Sequence, residues 1–286
     1  MSDLWSFKLE IALATALISV SSLMYSISIN DIYKSEMLVE RVSDSAESIP
    51  TQFGTLAAIT GVSLPGSFSK DKSTYALEIL KTRDFFEKLI QDESFLIELA
   101  AVNDFNKNTT QLSYDKDFYN KETKKLNPNF YSNTSFLKLH NLFLNSITIK
   151  EEETGSLRIS VEHISPIISK EWLDLIFQKL NETVKKIKTK EAKESLNYLN
   201  NQLALATESE LKKVIADLIE KQIQTLMISD ISNDFVFSII DSPRIPEKKY
   251  SPHRSRIVIL TTLLGFLLSC SIRLIYFSVY INPKIK

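Results

Sequence analysis

The side chains best suited to metal binding or nucleophilic catalysis are scarce here: three histidines (His140, His163, His253) and one cysteine, Cys270, in 286 residues. They are scattered, and no spacing among them matches a metal-ligand motif. The strings G-x-x-x-x-G-K-[ST], G-x-S-x-G and H-E-x-x-H are all absent, so the sequence shows no phosphate cradle, nucleophile elbow or zincin helix. The acidic run Glu151 to Glu153 precedes Gly155 in a turn and is expected to face water. His163 continues the apolar side of a strand and reads as a satisfied edge residue. The expectation is a chain without catalytic machinery, cofactor or metal.

What stands out instead is mechanical. Pro243, Pro246 and Pro252 crowd the segment 242–252, just before an uncharged apolar run. Each lacks an N–H and fixes φ, so the segment can continue neither as a central strand nor as a helix. Extended at ~3.1 Å per residue, Pro243 to Pro252 would bridge about 28 Å. It reads either as an ordinary linker or as a stiff coupling between a domain and a membrane anchor that also contacts a partner.

The anchors explain the placement. Ile11 to Ile29 runs 19 residues without a charge, close to the ~20 that a helix needs to cross ~30 Å of hydrocarbon. Residues 257–277 form the second expected span, with Arg273 near its far boundary. There the guanidinium can snorkel to the headgroups beside Tyr276, Phe277 and Tyr280. A cleavable signal peptide is the alternative for the first run. However, Lys8 stands against Asp3 and Glu10, and Ser26-Ile27-Ser28 is a poor cleavage site. Ala12, Thr15, Ser19, Ser22 and Ser26 recur at alternating spacings of three and four, which marks a face where another helix can approach closely.

Arg273, Lys284 and Lys286 after the second span favour the cytoplasm, against His253, Arg254 and Arg256 on its other flank. Residues 1–10 and 278–286 are then cytoplasmic, and 30–256 lie outside. Cys270 sits within the second span, so no disulfide framework is expected in the domain between. The formal net charge of -1 gives no field suited to nucleic acid.

Within that domain, "IYKSEMLVE" alternates like a half-buried strand, with Tyr33, Ser35, Met37 and Val39 on one side. Residues 42–73 hold three of the five glycines and read as loop. Helical spacing returns over 73–92, and short helices with an irregular middle near "NPNFYSN" are expected from 93 to 145. Two strands around "EEETG" follow as a hairpin. Residues 169–229, free of Gly and Pro, have helical periodicity long enough to demand a reversal, placed at "ATESE" where Thr207 and Glu210 have capping-box spacing. "FVFSIID" at 235–241 is apolar on both faces and reads as a central strand, with 157–163 as its suggested partner. The predicted fold class is α+β: two terminal membrane helices flanking a small mixed sheet that carries a helical hairpin.

Several strings, in this order, resemble bacterial polysaccharide co-polymerases of the lipopolysaccharide O-antigen chain-length-determinant type (Wzz type). They are "IYKSEMLV", "LAAITGVSL", "YALEILKTRDFFEKLI", "TGSLRISVEHISPIISKEW", "LIEKQIQTLMI" and "FVFSIIDSPRIPEKKYSPHR" running into a span with Gly265. The resemblance implies an inner-membrane protein with a periplasmic domain, assembled as a closed homo-oligomeric ring, an octamer in the family pattern. Such a ring acts with a membrane-embedded polymerase, and with lipid-linked glycan, to set polymer length without forming glycosidic bonds. It also singles out Pro243, Pro246, Pro252 and Gly265 as candidate coupling residues. The second span has only Gly265 where relatives are richer in glycine, and "ISPIIS" replaces a frequent Asp-Pro helix start.

Two other functions fit the same topology. A structural adaptor of capsule or exopolysaccharide export would share both spans. A co-polymerase with an attached tyrosine kinase would need a nucleotide-binding domain after the second span, which is not expected before Lys286.

Overall fold

A computed structural model describes residues 8–42, 72–107, 109–127, 130, 134–231 and 234–276. The loop expected over 42–73 lies almost wholly outside them, as do most of "NPNFYSN", Phe277, Tyr280, Lys284 and Lys286. Two compact units emerge: one joins residues up to Tyr33 with Glu247 onward, and the other is Lys34–Pro246.

The first unit is a pair of helices, α1 (Lys8–Ser28) and a last helix, Arg254–Tyr276, each with a 20-residue stretch apolar enough to cross a bilayer. Large apolar side chains such as Leu13, Leu17, Leu263 and Leu267 point away from the pair. That is the pattern of helices whose solvent is lipid.

The second unit takes up β1 (Tyr33–Arg41) from Lys34 onward, and the strand alternates: Ser35, Met37 and Val39 are buried, Lys34, Glu36 and Leu38 are half-exposed and Glu40 is exposed. Where the periodicity over 73–92 reads as continuous, there are two helices, α2 (Lys72–Leu80) and α3 (Arg83–Ile90). Thr82 causes the break: its backbone is extended, and its hydroxyl accepts the Phe85 N–H as an N-cap. α4 (Glu93–Ala101) starts the same way, on Asp92. Two short hairpins come next and were not expected: β2 (Val102–Asn106) with β3 (Gln111–Tyr114), and β4 (Tyr119–Asn120) with β5 (Lys125–Leu126). α5 (Phe136–Ser146) then runs straight into β6 (Ile147–Glu151), which pairs antiparallel with β7 (Leu157–His163). Their turn contains Gly155 at φ 82°, a left-handed conformation that glycine adopts without steric cost.

α6 (Pro166–Leu205) begins on Ser165 as N-cap with Pro166 in the first turn, so the Ser-Pro pair has the helix-starting role expected of it. At 40 residues it is about 60 Å long. The chain reverses at 206–208, and α7 (Ser209–Ile231) returns against it. The hairpin predicted over 169–229 is therefore present, with the reversal at "ATESE". The Lys212 N–H bonds the Glu208 carbonyl, so the cap falls one residue after Thr207. Burial on α6 is dense from Ile168 to Val184 and then thins to Ala192 and Leu199. The root of the arm belongs to the core, and its far part packs mainly on α7.

The sheet order is β6-β7-β1-β8, where β8 is Phe237–Asp241. This overturns the reading of 235–241 as a central strand beside β7. β8 pairs antiparallel with β1 and forms the sheet's edge, with a register irregularity between Leu38 and Val39. The apolar run is divided: Phe235, Val236 and Phe237 are completely buried, while Ile239 and Ile240 are exposed. β1 takes the place beside β7 because its alternate face, Tyr33, Ser35, Met37 and Val39, is buried along its length, with Met37 and Val39 lying in the core. The core itself packs Phe86, Phe95 and Phe143 against Trp172 of α6, with Phe95 and Trp172 ring centroids 4.5 Å apart.

Candidate functional site

Chemistry-bearing side chains are quiet here. His140 is buried, its Nε2 3.2 Å from the Lys81 carbonyl oxygen. The Nδ1 of His163 accepts the Ser165 N–H at 3.0 Å, so its Nε2 carries the proton and donates to the Glu98 carbonyl at 3.3 Å. Burial holds His163 down at about 4, which keeps it neutral. Glu98 beside it accepts the Trp172 indole N–H at 2.6 Å, and burial pushes its carboxyl up to about 7. This cluster ties α4, β7 and α6 together. His253 is exposed. Among the described residues, no group of His, Cys, Asp and Glu gathers closely enough to hold a metal ion.

The candidate site is thus the membrane pair and the proline segment. The last helix, α8 (Arg254–Tyr276), lies antiparallel to α1, and three contacts keep one register along their length. Ser22 and Thr261 share a 2.6 Å hydrogen bond. One turn further, Gly265 lies so close to Ile18 that an added Cβ would stand 2.9 Å from the Ile18 Cγ2. At the far end Arg273 pairs with Glu10. Small and hydroxylated residues permit this approach, and a polar pair inside lipid lacks water as a competitor. Of the small residues singled out on α1, Ser22 and Ser26 are buried, Thr15 and Ser19 are half-buried, and Ala12 is exposed. Thr15 also bonds back to the Ile11 and Ala12 carbonyls.

The proline segment crosses the boundary of the two units. Pro243 is buried and Pro246 half-buried in the second unit, where the Ser35 hydroxyl donates to the Arg244 carbonyl at 2.9 Å. Pro252 is buried in the first unit, after a cis peptide bond from Ser251. Residues 250–251 are laced to Ile32: the Tyr250 N–H donates to the Ile32 carbonyl, and the Ile32 N–H to the Ser251 carbonyl, each at 2.8 Å. Asp31 sits between Lys249 at 2.9 Å and Arg254 at 3.0 Å. The segment is therefore fastened along its course to the chain that leaves α1, where the sequence suggests only an extended bridge. Pro252 and Gly265 share the membrane unit, whereas Pro243 and Pro246 belong to the other.

Thr261, Asp31 and Glu10 are contributors that sequence reading missed. Thr261 lies one turn before Gly265 on the same face, a detectable signal. Asp31 is an acid directly after one span, opposite a basic cluster directly before the other.

The solved structures resembling this chain include a full-length bacterial polysaccharide co-polymerase, matched over 97% of this chain and 96% of that one, with a TM-score of 0.40 and 13% identity. A fragment of WzzB, a polysaccharide co-polymerase from Salmonella Typhimurium, is matched over 78% of this chain and 100% of its own, with a TM-score of 0.32 and 16% identity. Both structural neighbours are polysaccharide co-polymerases. No protein-family model matches the sequence, and no curated protein does.

Proposed function

We propose that this protein is a non-enzymatic regulator of the modal chain length of a bacterial surface polysaccharide, lipopolysaccharide O-antigen in the first instance. It works at the inner membrane with the polymerase that joins lipid-linked repeat units. The observation that carries the reading is the antiparallel membrane pair. Its shared register brings Asn30 and Arg254 to one end, so the intervening chain both leaves and re-enters the membrane there. Its described residues form an α+β domain with a 40-residue helix, and among them no group of His, Cys, Asp and Glu gathers to hold a metal ion. The ordered sequence strings supply the activity.

In this reading residues 30–256 are periplasmic and the protomers close a ring, an octamer by resemblance. The exposed apolar side chains Ile223, Met227 and Ile231 on α7 give such a ring a surface to cover. The test is deletion of the gene in a strain that makes the polymer, followed by resolving polysaccharide lengths on a gel. A ladder that loses its modal length supports the reading, and an unchanged ladder refutes it. Loss of all surface polymer would instead assign the protein to export as a structural adaptor.

A further inference from the structure

The two hairpins that sequence reading missed, β2–β3 and β4–β5, border an open cleft of about 720 Å³. That is within the ~300–1,000 Å³ of typical small-ligand sites. Tyr114 of β3 and Tyr119 of β4 stand side by side in its wall, half-buried, with ring centroids 4.6 Å apart. Gln111, Asn120, Asp104, Glu122, Lys116 and Lys121 belong to its polar lining, two carboxylates balancing two ammonium groups.

The frame is rigidly tied. The Asn120 Oδ1 accepts the N–H groups of Glu122 and Thr123 at 2.9 and 3.2 Å, which leaves its amide nitrogen for a ligand. The Asn127 Nδ2 donates to the carbonyls of Lys116 and Asp117 at 2.9 and 3.3 Å, stitching the two hairpins' connection to the end of β5. Such ties lower the ordering cost of binding.

We propose that this cleft binds a short neutral oligosaccharide, a segment of the glycan whose length the protein sets. A sugar ring presents hydroxyls that both donate and accept, together with an apolar C–H face. Amide, carboxylate and ammonium side chains around a tyrosine pair offer the complement to each. A phosphorylated ligand or nucleic acid would call for an excess of cations, which the balanced lining lacks. An apolar peptide would call for aliphatic pockets, and Leu112 is the lone aliphatic residue among the described lining. The identity of the glycan rests on the chain-length reading; the ligand chemistry rests on the cleft.

The experiment uses the full-length protein in lipid nanodiscs and neutral oligosaccharides released by partial hydrolysis of the host's own surface polysaccharide, with binding followed by saturation-transfer NMR. Acidic fragments and a mixed peptide pool serve as comparators. Saturable binding of neutral fragments is expected, weakened about threefold to tenfold by Tyr119→Ala and by Gln111→Ala. Circular dichroism checks that both variants fold. No binding by the wild type, binding unchanged in both variants, or preference for peptide or acidic fragments overturns the proposal. The deletion ladder separates the two ideas: an altered ladder without binding sinks this site and spares the chain-length reading. Binding with an unaltered ladder does the reverse.

Discussion

The side-chain oxygen of Asn181, deep in the first half of α6, accepts the backbone N–H of Val236 at 3.0 Å. Both residues are buried, and the same oxygen lies 3.5 Å from the Phe237 nitrogen, at the start of the edge strand β8. One amide thus joins the arm's root to the last strand before the proline segment. Replacing it with an apolar side chain leaves buried donors without an acceptor, at a cost of about 1–3 kcal/mol. Asn181→Leu should lower the thermal midpoint by about 2–4 °C for each kcal/mol lost. Differential scanning calorimetry of wild type and variant checks this, and an unchanged midpoint would count against the structural role.

The Glu98 and His163 titrations act in opposite directions on stability. Glu98 sits at about 7 against an ordinary 4.5, so its stabilisation is full below pH 4.5 and is lost as pH rises through 7. His163 sits at about 4 against an ordinary 6.5, so its stabilisation is full above 6.5 and is lost as pH falls toward 4. Over the shared window the two offset each other. Glu98→Gln removes the first and leaves the second, while its amide oxygen can still accept from Trp172. Relative to the wild type, this variant should lose stability more steeply between pH 6.5 and 4.5. Urea midpoints at both ends of that range decide the matter, and parallel pH dependence would contradict it.

The register of the membrane pair is open to chemical test. With Cys270→Ser as background, cysteines at positions 22 and 261 should cross-link readily within one chain, since the native hydroxyls are 2.6 Å apart. Adding Gly265→Leu drives a branched side chain against Ile18 and should reduce the cross-linked fraction severalfold. Efficient cross-linking in the leucine variant would mean that the helices do not need glycine at their closest approach.

The fastening of the proline segment makes a graded prediction. Changing Pro243, Pro246 and Pro252 together to alanine should shift polymer length with the protein still present in the membrane fraction. Asp31→Asn removes the partner of both Lys249 and Arg254 and should shift length in the same direction, by less, because half-exposed ion pairs contribute only about 0–1 kcal/mol each. A normal length distribution in both strains, read on the same gels, would show that the segment is only a linker.

Local pattern carried much of the architecture. Alternation through Tyr33, Ser35, Met37 and Val39 is enough to define a half-buried strand, because side chains in a strand change face at every residue. A Gly- and Pro-free stretch too long for one domain-sized helix is enough to demand the α6–α7 reversal. Uncharged runs of bilayer length are enough to place α1 and α8. Each of these signals is written within a few turns of the chain.

Pairing across the chain was decided elsewhere. The apolar composition of residues 235–241 is compatible with the centre or the edge of a sheet. Only the competition for the flanks of β1, together with the amide of Asn181, puts β8 at the edge. The break at Thr82 turns on one hydroxyl reaching the Phe85 N–H, and the hairpins around Tyr114 and Tyr119 have strands too short for periodicity to register. Likewise Ser22 is recognisable in sequence as small and polar, but its meeting with Thr261, and that of Glu10 with Arg273, follows from an antiparallel register set by packing. The chain by itself determined the longer strands, the helical arm and the two membrane spans, since those depend on local hydrophobic period and length. The tertiary structure alone decided which segments touch and which polar groups they satisfy, because those choices depend on residues far apart in sequence competing for the same partners.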